Sequence, residues 1–333
     1  MSAPAPSMHS DAARQIAARL GLKQGRANLD EFADTLLTLA KANRNVLAVT
    51  SDSRSSGKLT AYGQALPGQI VEVGIAEQNL VGVAAGLASA GKTVFAVSPA
   101  CFLTARALEQ IKNDVAYSDN PVTLVGISAG VSYGALGTTH HSLHDLAVLR
   151  AINNITIVVP ADNYETREAV QAAAAAKHPV YLRFGKAALY DLPATEPFTF
   201  GKSRLLRDGN DVAFVAAGET VVHALLAAAH LEETANLQCR VLSVPTIKPL
   251  DNTAILAAAR ECRAVISVEE HMMTGGLGEA VAALIAQAGI STCFKIIGVP
   301  DEYTVTGSQA DIFRHYGLTM EGLSATAQKL FHK

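Results

Sequence analysis

The run Val71-Glu72-Val73-Gly74-Ile75-Ala76-Glu77-Gln78-Asn79, continuing into Leu80-Val81-Gly82-Val83-Ala84-Ala85-Gly86-Leu87-Ala88, decides the fold. Gln69 to Val73 reads as a short buried strand. Gly74 breaks it, and an Ala/Gly-rich helix with apolar residues at helical spacing follows. Glu77 therefore stands near the start of a helix whose faces are almost wholly apolar. A carboxyl among apolar groups resists ionisation, because the charged form loses solvation. Such a group can hold or exchange a proton near neutral pH. An acid in a first helical turn also complements the helix dipole, so spacing alone leaves both readings open.

Outward from this unit the same alternation repeats. Strand-like runs are predicted at residues 46–50, 69–73, 93–97, 122–127, 156–159 and 180–183, with helices at 27–43, 77–90, 101–117, 143–151 and 163–177. Alternating strands and helices argue for a parallel sheet covered on both faces. Residues 191–200, with Pro193 and Pro197 and no periodicity, read as a linker. A second alternating unit follows: strands at 212–216, 239–244, 264–269 and 292–297, helices at 220–233, 252–262 and 278–288. The expectation is an α/β chain of two doubly wound domains. Residues 1–26 would form a tail, 27–190 a mainly parallel-sheet domain, 191–200 a linker and 201–333 a smaller α/β domain.

Composition narrows the function. The chain has 333 residues, 49% hydrophobic, enough for two domains with real cores. A net charge of −3 gives no reason to expect nucleic acid or an anionic membrane as partner. No signal peptide is evident, and no apolar run reaches membrane-spanning length uninterrupted. Cys101, Cys239, Cys262 and Cys293 are scattered without pair spacing, which reads as buried thiols of a cytoplasmic protein.

Polar groups gather where strands end, the place ligands occupy in an open parallel sheet. Asp52-Ser53-Arg54-Ser55-Ser56 follows the 46–50 strand; Asp52 there suits either a ligand or a helix N-cap. Ser98-Pro99-Ala100-Cys101-Phe102 follows the 93–97 strand, and Phe102 suits either a ligand or the core. The stretch 126–146 holds Ser128, Leu136, His140, His141 and His144. His140 and His144, four apart, could share a helix face, but no acid between them serves as a metalloprotease base. Imidazole is equally the usual general acid–base at neutral pH. Gly276-x-Gly278 follows a strand but lacks the third glycine of a dinucleotide fingerprint.

Gly74-Ile75-Ala76-Glu77-Gln78-Asn79 with its Gly/Ala helix resembles the pyrimidine-binding domain of transketolase, and the segment holding Gly137-Thr138-Thr139-His140 lies at the matching distance. The second unit resembles the transketolase carboxyl-terminal domain. The resemblance implies thiamine diphosphate as cofactor. Glu77 would contact the aminopyrimidine ring and share a proton with it, Phe102 would stack on that ring, and Asp52 and Ile75 would lie beside it. His140 would hydrogen-bond the donor's carbonyl oxygen, Ser56 would contact the sugar-phosphate end, and Arg183 would match the family's phosphate-binding arginine, with Arg26 near the place of a second. His141 and His144 would be helix-start or surface residues. Two departures stand out: Leu136 replaces an Asp that reads an acceptor hydroxyl, and Ser128 replaces a phosphate-side His. Together they imply a non-standard phosphorylated or sulfonated sugar.

The resemblance covers about residues 27–333 but only the carboxyl-terminal half of a whole transketolase. The Gly-Asp-Gly motif that holds diphosphate and Mg2+ has no counterpart here. The implied assembly is the second subunit of a split enzyme, with a partner subunit that carries the diphosphate and metal, as a heterotetramer of two of each. The β subunit of a 2-oxoacid dehydrogenase and half of a deoxyxylulose-phosphate synthase share this plan. A non-catalytic binding subunit is the alternative of another class.

Overall fold

The computed structural model describes residues 7–193 and 197–331. Residues 1–6 of the expected tail and 194–196 of the expected linker lie outside the described residues. The strands are β1 Gln24–Ala27, β2 Val46–Thr50, β3 Ile70–Glu72, β4 Thr93–Pro99, β5 Val122–Ile127, β6 Thr156–Val158, β7 Val180–Arg183, β8 Ala188–Tyr190, β9 Arg204–Arg207, β10 Val212–Ala216, β11 Cys239–Ser243, β12 Thr246–Lys248, β13 Ala264–Met272 and β14 Cys293–Val299.

One sheet has the order β12-β6-β7-β5-β4-β2-β3 and a second the order β14-β13-β10-β11-β9, with β1 and β8 forming a separate antiparallel pair. All pairings in the large sheets are parallel except β12 with β6 and β9 with β11. Strands β2, β5 and β10 are buried at every residue. That is the pattern of parallel strands covered by helices on both faces, so their sequences run apolar without alternation. Apart from the 101–117 helix, the expected strands and helices are there, within a few residues at their ends. The 69–73 run, expected buried, forms β3, a sheet-edge strand with no buried residue, because only β2 flanks it.

Several elements lacked a sequence signal. β12 follows residue 201 yet completes the first sheet, as an antiparallel edge on β6. Three residues are too few for periodicity to show. The expected helix at 101–117 is instead Ala100–Arg106, Leu108–Gln110 and a π-helical turn, Ile111–Tyr117. The expected tail holds a helix, Asp11–Arg19, capped by the Ser10 side chain and burying Ala13, Ile16 and Ala17. Helices Gln309–His315 and Met320–Phe331 were likewise unexpected. Cys101, Cys239 and Cys262 are buried free thiols, but Cys293, expected buried, is exposed because its side of edge strand β14 faces outward. Among the described residues no helix is long and apolar enough to cross a membrane.

Candidate active site

The parallel order places the carboxyl ends of β2, β3, β4, β5 and β7 along one edge of the first sheet. After β2 come Asp52 and Ser56; after β3, Ile75 and Glu77; after β4, Phe102; after β5, Ser128 to His140; after β7, Lys186. Such an edge is where open α/β sheets hold ligands.

Glu77 begins the helix Glu77–Ser89, and its side chain is 3% exposed. The expected all-apolar surroundings are not what it meets. Arg106 Nη1 donates to both Glu77 carboxylate oxygens at 3.0 Å. The same guanidinium covers the Phe102 ring, 4.5 Å from its centroid. Arg106 stands four residues after Phe102, the helical spacing that brings two side chains together.

Contacts continue from Phe102. Its ring meets His140 edge-on at 5.3 Å, and His140 meets Tyr133 edge-on at 5.4 Å. Lys186 Nζ lies 3.7 Å from the Tyr133 ring centroid. Glu77, Arg106, Phe102, His140, Tyr133 and Lys186 thus form one unbroken file of contacts. Lys186 then lines a cavity of about 320 Å3 with Ser55, Ser56, Lys58 and Asp30. Lys58 Nζ is 3.3 Å from Asp30. Partial burial and then the Lys58 charge pull the Lys186 ammonium below the usual lysine range. Two ammonium groups, two hydroxyl-bearing residues and one carboxylate thus line this cavity, and Lys186 is the cation there that Asp30 does not pair.

The remaining expected residues divide. Ile75 is 73% and Leu136 55% exposed, so both present apolar side chains to solvent. Ser56 is half-buried, its Oγ donating to the Ser53 carbonyl at 3.1 Å. Asp52 is exposed with φ of 53°, and its amide donates to Glu72 Oε1 at 2.7 Å. No helix begins at Asp52, so the N-cap reading falls away. Ser128 is fully buried, also at positive φ, 53°.

Arg183 is not where an anion-binding arginine was expected. It is buried between the two sheets, with Nε on Asp145 Oδ2 at 2.7 Å and Nη2 on the carbonyls of Ser142 and Glu270 at 3.0 and 2.9 Å. Its donors are directed at protein acceptors. Three residues later the chain has left the strand, and there Lys186 faces the cavity. A cation just past a parallel strand's carboxyl end was the available signal for it. Arg26 is likewise committed, to Glu31 and Asp34. His141, expected at a helix start or on the surface, is buried, bridging Thr304 Oγ1 at 2.6 Å and the Gly134 carbonyl at 2.9 Å. Burial lowers its basicity. His144 does precede a helix, Asp145–Arg150, with Nε2 3.3 Å from Thr104 Oγ1. At Gly276-x-Gly278 the Glu269 carboxylate already accepts the Leu277 and Gly278 amides at 2.6 and 2.7 Å, filling the place a nucleotide phosphate would need. Among the described residues no group of three or more His, Cys, Asp and Glu is placed to hold a metal ion.

The family model for the transketolase pyrimidine-binding domain matches residues 26–191, and that for the transketolase C-terminal domain matches 201–323. The chain belongs to the transketolase family. This transketolase subunit is 48% identical over 304 residues to a subunit of the apulose-4-phosphate transketolase of Phocaeicola vulgatus, a match that covers 91% of this chain and 96% of that one. It is 34% identical to the 6-deoxy-6-sulfo-D-fructose transketolase subunit of a Clostridium species, over 82% and 87% of the two chains. Among solved structures, a split-gene transketolase in an inactive β4 tetramer superposes with a TM-score of 0.79 at 33% identity, covering 92% of this chain and 98% of that one. The protein is thus a subunit of a thiamine diphosphate-dependent transketolase, an enzyme that moves a two-carbon ketol unit between sugars.

Proposed function

We propose that this chain is the pyrimidine-binding subunit of a two-subunit transketolase acting on a phosphorylated, non-standard ketose, with apulose 4-phosphate the first substrate to test. The observation that carries the reading is the file of contacts from Glu77 to Lys186, which joins a carboxylate suited to an aminopyrimidine to a cavity suited to an anion. The 48% identity to a subunit of that specificity supports the substrate.

The residues present fit the pyrimidine end of the cofactor. A buried carboxyl, an aromatic face and an exposed apolar side chain are offered by Glu77, Phe102 and Ile75. The side chain covering the first two is Arg106, half-exposed and bridged to the Glu77 carboxylate. Asp52 completes the set at the same sheet edge. When bound, thiamine diphosphate supplies the nucleophilic carbon and electron sink for cleavage next to a ketose carbonyl. Glu77 would hold the proton shared with a pyrimidine nitrogen, which needs the low-dielectric setting its burial gives. His140 would donate to the oxygen that gains charge at the donor carbonyl. Lys186, Lys58 and Ser56 would hold the anionic end. Leu136 offers no hydroxyl-reading acid and Ser128 no phosphate-side imidazole, which disfavours the usual sugar phosphates. The diphosphate and Mg2+ would be held by an amino-terminal partner subunit, two of each chain making a heterotetramer in the cytoplasm.

The test is ketol transfer by the reconstituted pair from apulose 4-phosphate, 6-deoxy-6-sulfofructose and xylulose 5-phosphate to one aldose. The expected kcat/KM for apulose 4-phosphate exceeds that for xylulose 5-phosphate by about tenfold or more, the worth of one mismatched buried hydrogen-bonding group. A preference for xylulose 5-phosphate overturns the specificity, and absence of transfer from every ketose overturns the function.

A further inference from the structure

Glu219, in the second half of the chain, is 4% exposed and belongs to no part of the file of contacts above. Gly218, at φ 60°, donates to the Val159 carbonyl at 3.2 Å and so brings Glu219 against the first sheet. There the Gln309 amide nitrogen donates to two carboxylates at once, Glu219 Oε2 at 2.7 Å and Glu270 Oε1 at 2.9 Å. Glu270 Oε1 also accepts the Val131 amide at 2.9 Å.

Both carboxylates press on glycines of the first half. A Cβ on Gly185 would stand 2.0 Å from Glu219 Oε1, and one on Gly130 would stand 2.1 Å from the Glu270 carboxyl carbon. A side chain at either place would force the carboxylate out of its position. Gly185 immediately precedes Lys186, and Gly130 stands three residues before Tyr133. The two loops meet again at the Lys186–Tyr133 contact of 3.7 Å. The Lys186 and Tyr133 loops are therefore clamped from below by two acids joined through one amide, and from above by their own cation–π contact.

We propose that Glu219 is a positioning residue that, through Gln309 and the backbone at Gly185, fixes where the Lys186 ammonium stands. This rests on the reading that Lys186 receives the substrate's anionic end. A neutral side chain would cost far less to bury than an acid, so packing alone does not account for a carboxyl here. The groups facing the clamp are Arg183 from β7, Asp145 beside it, Glu270 from β13, and the amides of Ala187 and Gln309. Burial, helped by the Glu270 charge, pushes Glu219 up to about 8, and burial pushes Glu270 up to about 7. The pair therefore keeps a proton near neutrality. Losing it leaves two negative charges on one amide, and their repulsion loosens the support under Gly185.

The test has two arms. In the full chain, lysines are reductively methylated with a 13C label and the Lys186 signal is assigned with Lys186→Arg. Its ring-current shift from Tyr133 is expected to persist in Glu219→Gln and to disappear in folded Glu219→Ala. Retention of the shift in Glu219→Ala overturns the proposal, whatever the enzyme's activity. In the reconstituted enzyme, Glu219→Ala is expected to raise KM for the phosphorylated ketose about fivefold or more, part of a charge-assisted contact. It should leave kcat and the KM for uncharged erythrulose nearly unchanged. Wild type is expected to raise its KM as pH passes about 8, and Glu219→Gln to keep KM at neutral pH and lose that rise. Equal effects on both ketoses, or an unaltered pH profile in Glu219→Gln, overturn the proposal. A Lys186→Ala enzyme with unchanged KM for the charged ketose would instead strike the underlying reading of Lys186.

Discussion

Arg106 holds Glu77 through a single nitrogen, Nη1, placed 3.0 Å from both carboxylate oxygens. The pair is lopsided. The carboxylate side chain is 3% exposed and the guanidinium side chain 50%. The acid expected to exchange a proton with a cofactor is thus held by a cation that reaches in from solvent, and that cation also covers the aromatic face beside it. Anything that binds at Glu77 and Phe102 must displace Arg106.

Arg106→Met is expected to destabilise the isolated chain by about 1 kcal/mol. A half-exposed cation is worth little, but its loss strands a buried carboxylate. In a Glu77→Gln background the same substitution should cost almost nothing. Urea unfolding of the four proteins of this cycle measures the coupling. Additive effects would show that the pair carries no stability.

Glu77→Gln in the reconstituted enzyme is expected to lower kcat by about 100-fold or more, the usual worth of a positioned proton-transfer group. Subunit assembly should be unaffected, because the amide keeps the shape. Steady-state rates beside sedimentation of the complex test this. A rate near wild type would remove Glu77 from the chemistry.

Lys186→Ala and Arg183→Ala should fail in different ways. Lys186→Ala is expected to raise KM for a phosphorylated ketose about tenfold or more, at roughly 1.5–3 kcal/mol for a charge-assisted contact. It should leave thermal stability and the KM for an uncharged short ketose unchanged. Arg183→Ala takes the cation from the buried Asp145, leaving it the Tyr181 hydroxyl at 2.7 Å, and removes two carbonyl contacts in the interior. It is expected to destabilise the fold by about 3–5 kcal/mol. Kinetics paired with calorimetric unfolding separates the two. A soluble, fully stable Arg183→Ala protein with a selective KM defect would restore Arg183 as the anion's partner.

These contrasts show what the sequence carried and what it did not. The central strands and the Gly74–Glu77 junction were legible because parallel strands and a glycine break write themselves locally, whereas the edge position that leaves β3 half-exposed depends on strand order. Burial of Glu77 followed from the same local pattern. Arg106 did not, because its partner is 29 residues away on another helix. Arg183 and Lys186 are three apart, and only the end of β7 decides which turns inward. His141 gained its burial from Thr304, 163 residues distant. β12 escaped because three residues cannot display a period, and it is held by pairing with a strand far back in the chain.

The isolated chain is expected to bind thiamine diphosphate with Mg2+ only weakly. It offers groups for the pyrimidine end, and Arg106 covers two of them. Calorimetric titration without a partner subunit should give no magnesium-dependent binding at micromolar concentration. Tight binding under those conditions would contradict the split-enzyme reading.

The amino-terminal segment should come loose in acid. His9 is buried, its ring 5.0 Å from Tyr190 and 4.8 Å from His223, which in turn lies 5.5 Å from Phe313. Among the described residues no ring nitrogen of His9 or His223 has a hydrogen-bond partner. Burial, aided by Arg14 and opposed by Glu321, lowers His9 to about 4, and burial holds His223 well below the usual range. Both imidazoles are therefore neutral when docked, and the unfolded segment takes up protons more readily. The stability they allow is present above pH 6.5 and is lost as pH falls from there toward 4, by about 3 kcal/mol for His9 alone. The helix Asp11–Arg19, fastened by the Arg19–Glu233 bridge of 2.7 Å and by Ser10 with Glu321, should exchange its amides faster at pH 5 than at pH 7.5 after correction for intrinsic rates. His9→Phe should abolish most of that difference. Equal protection at both pH values in the wild-type chain would show that these histidines do not govern docking.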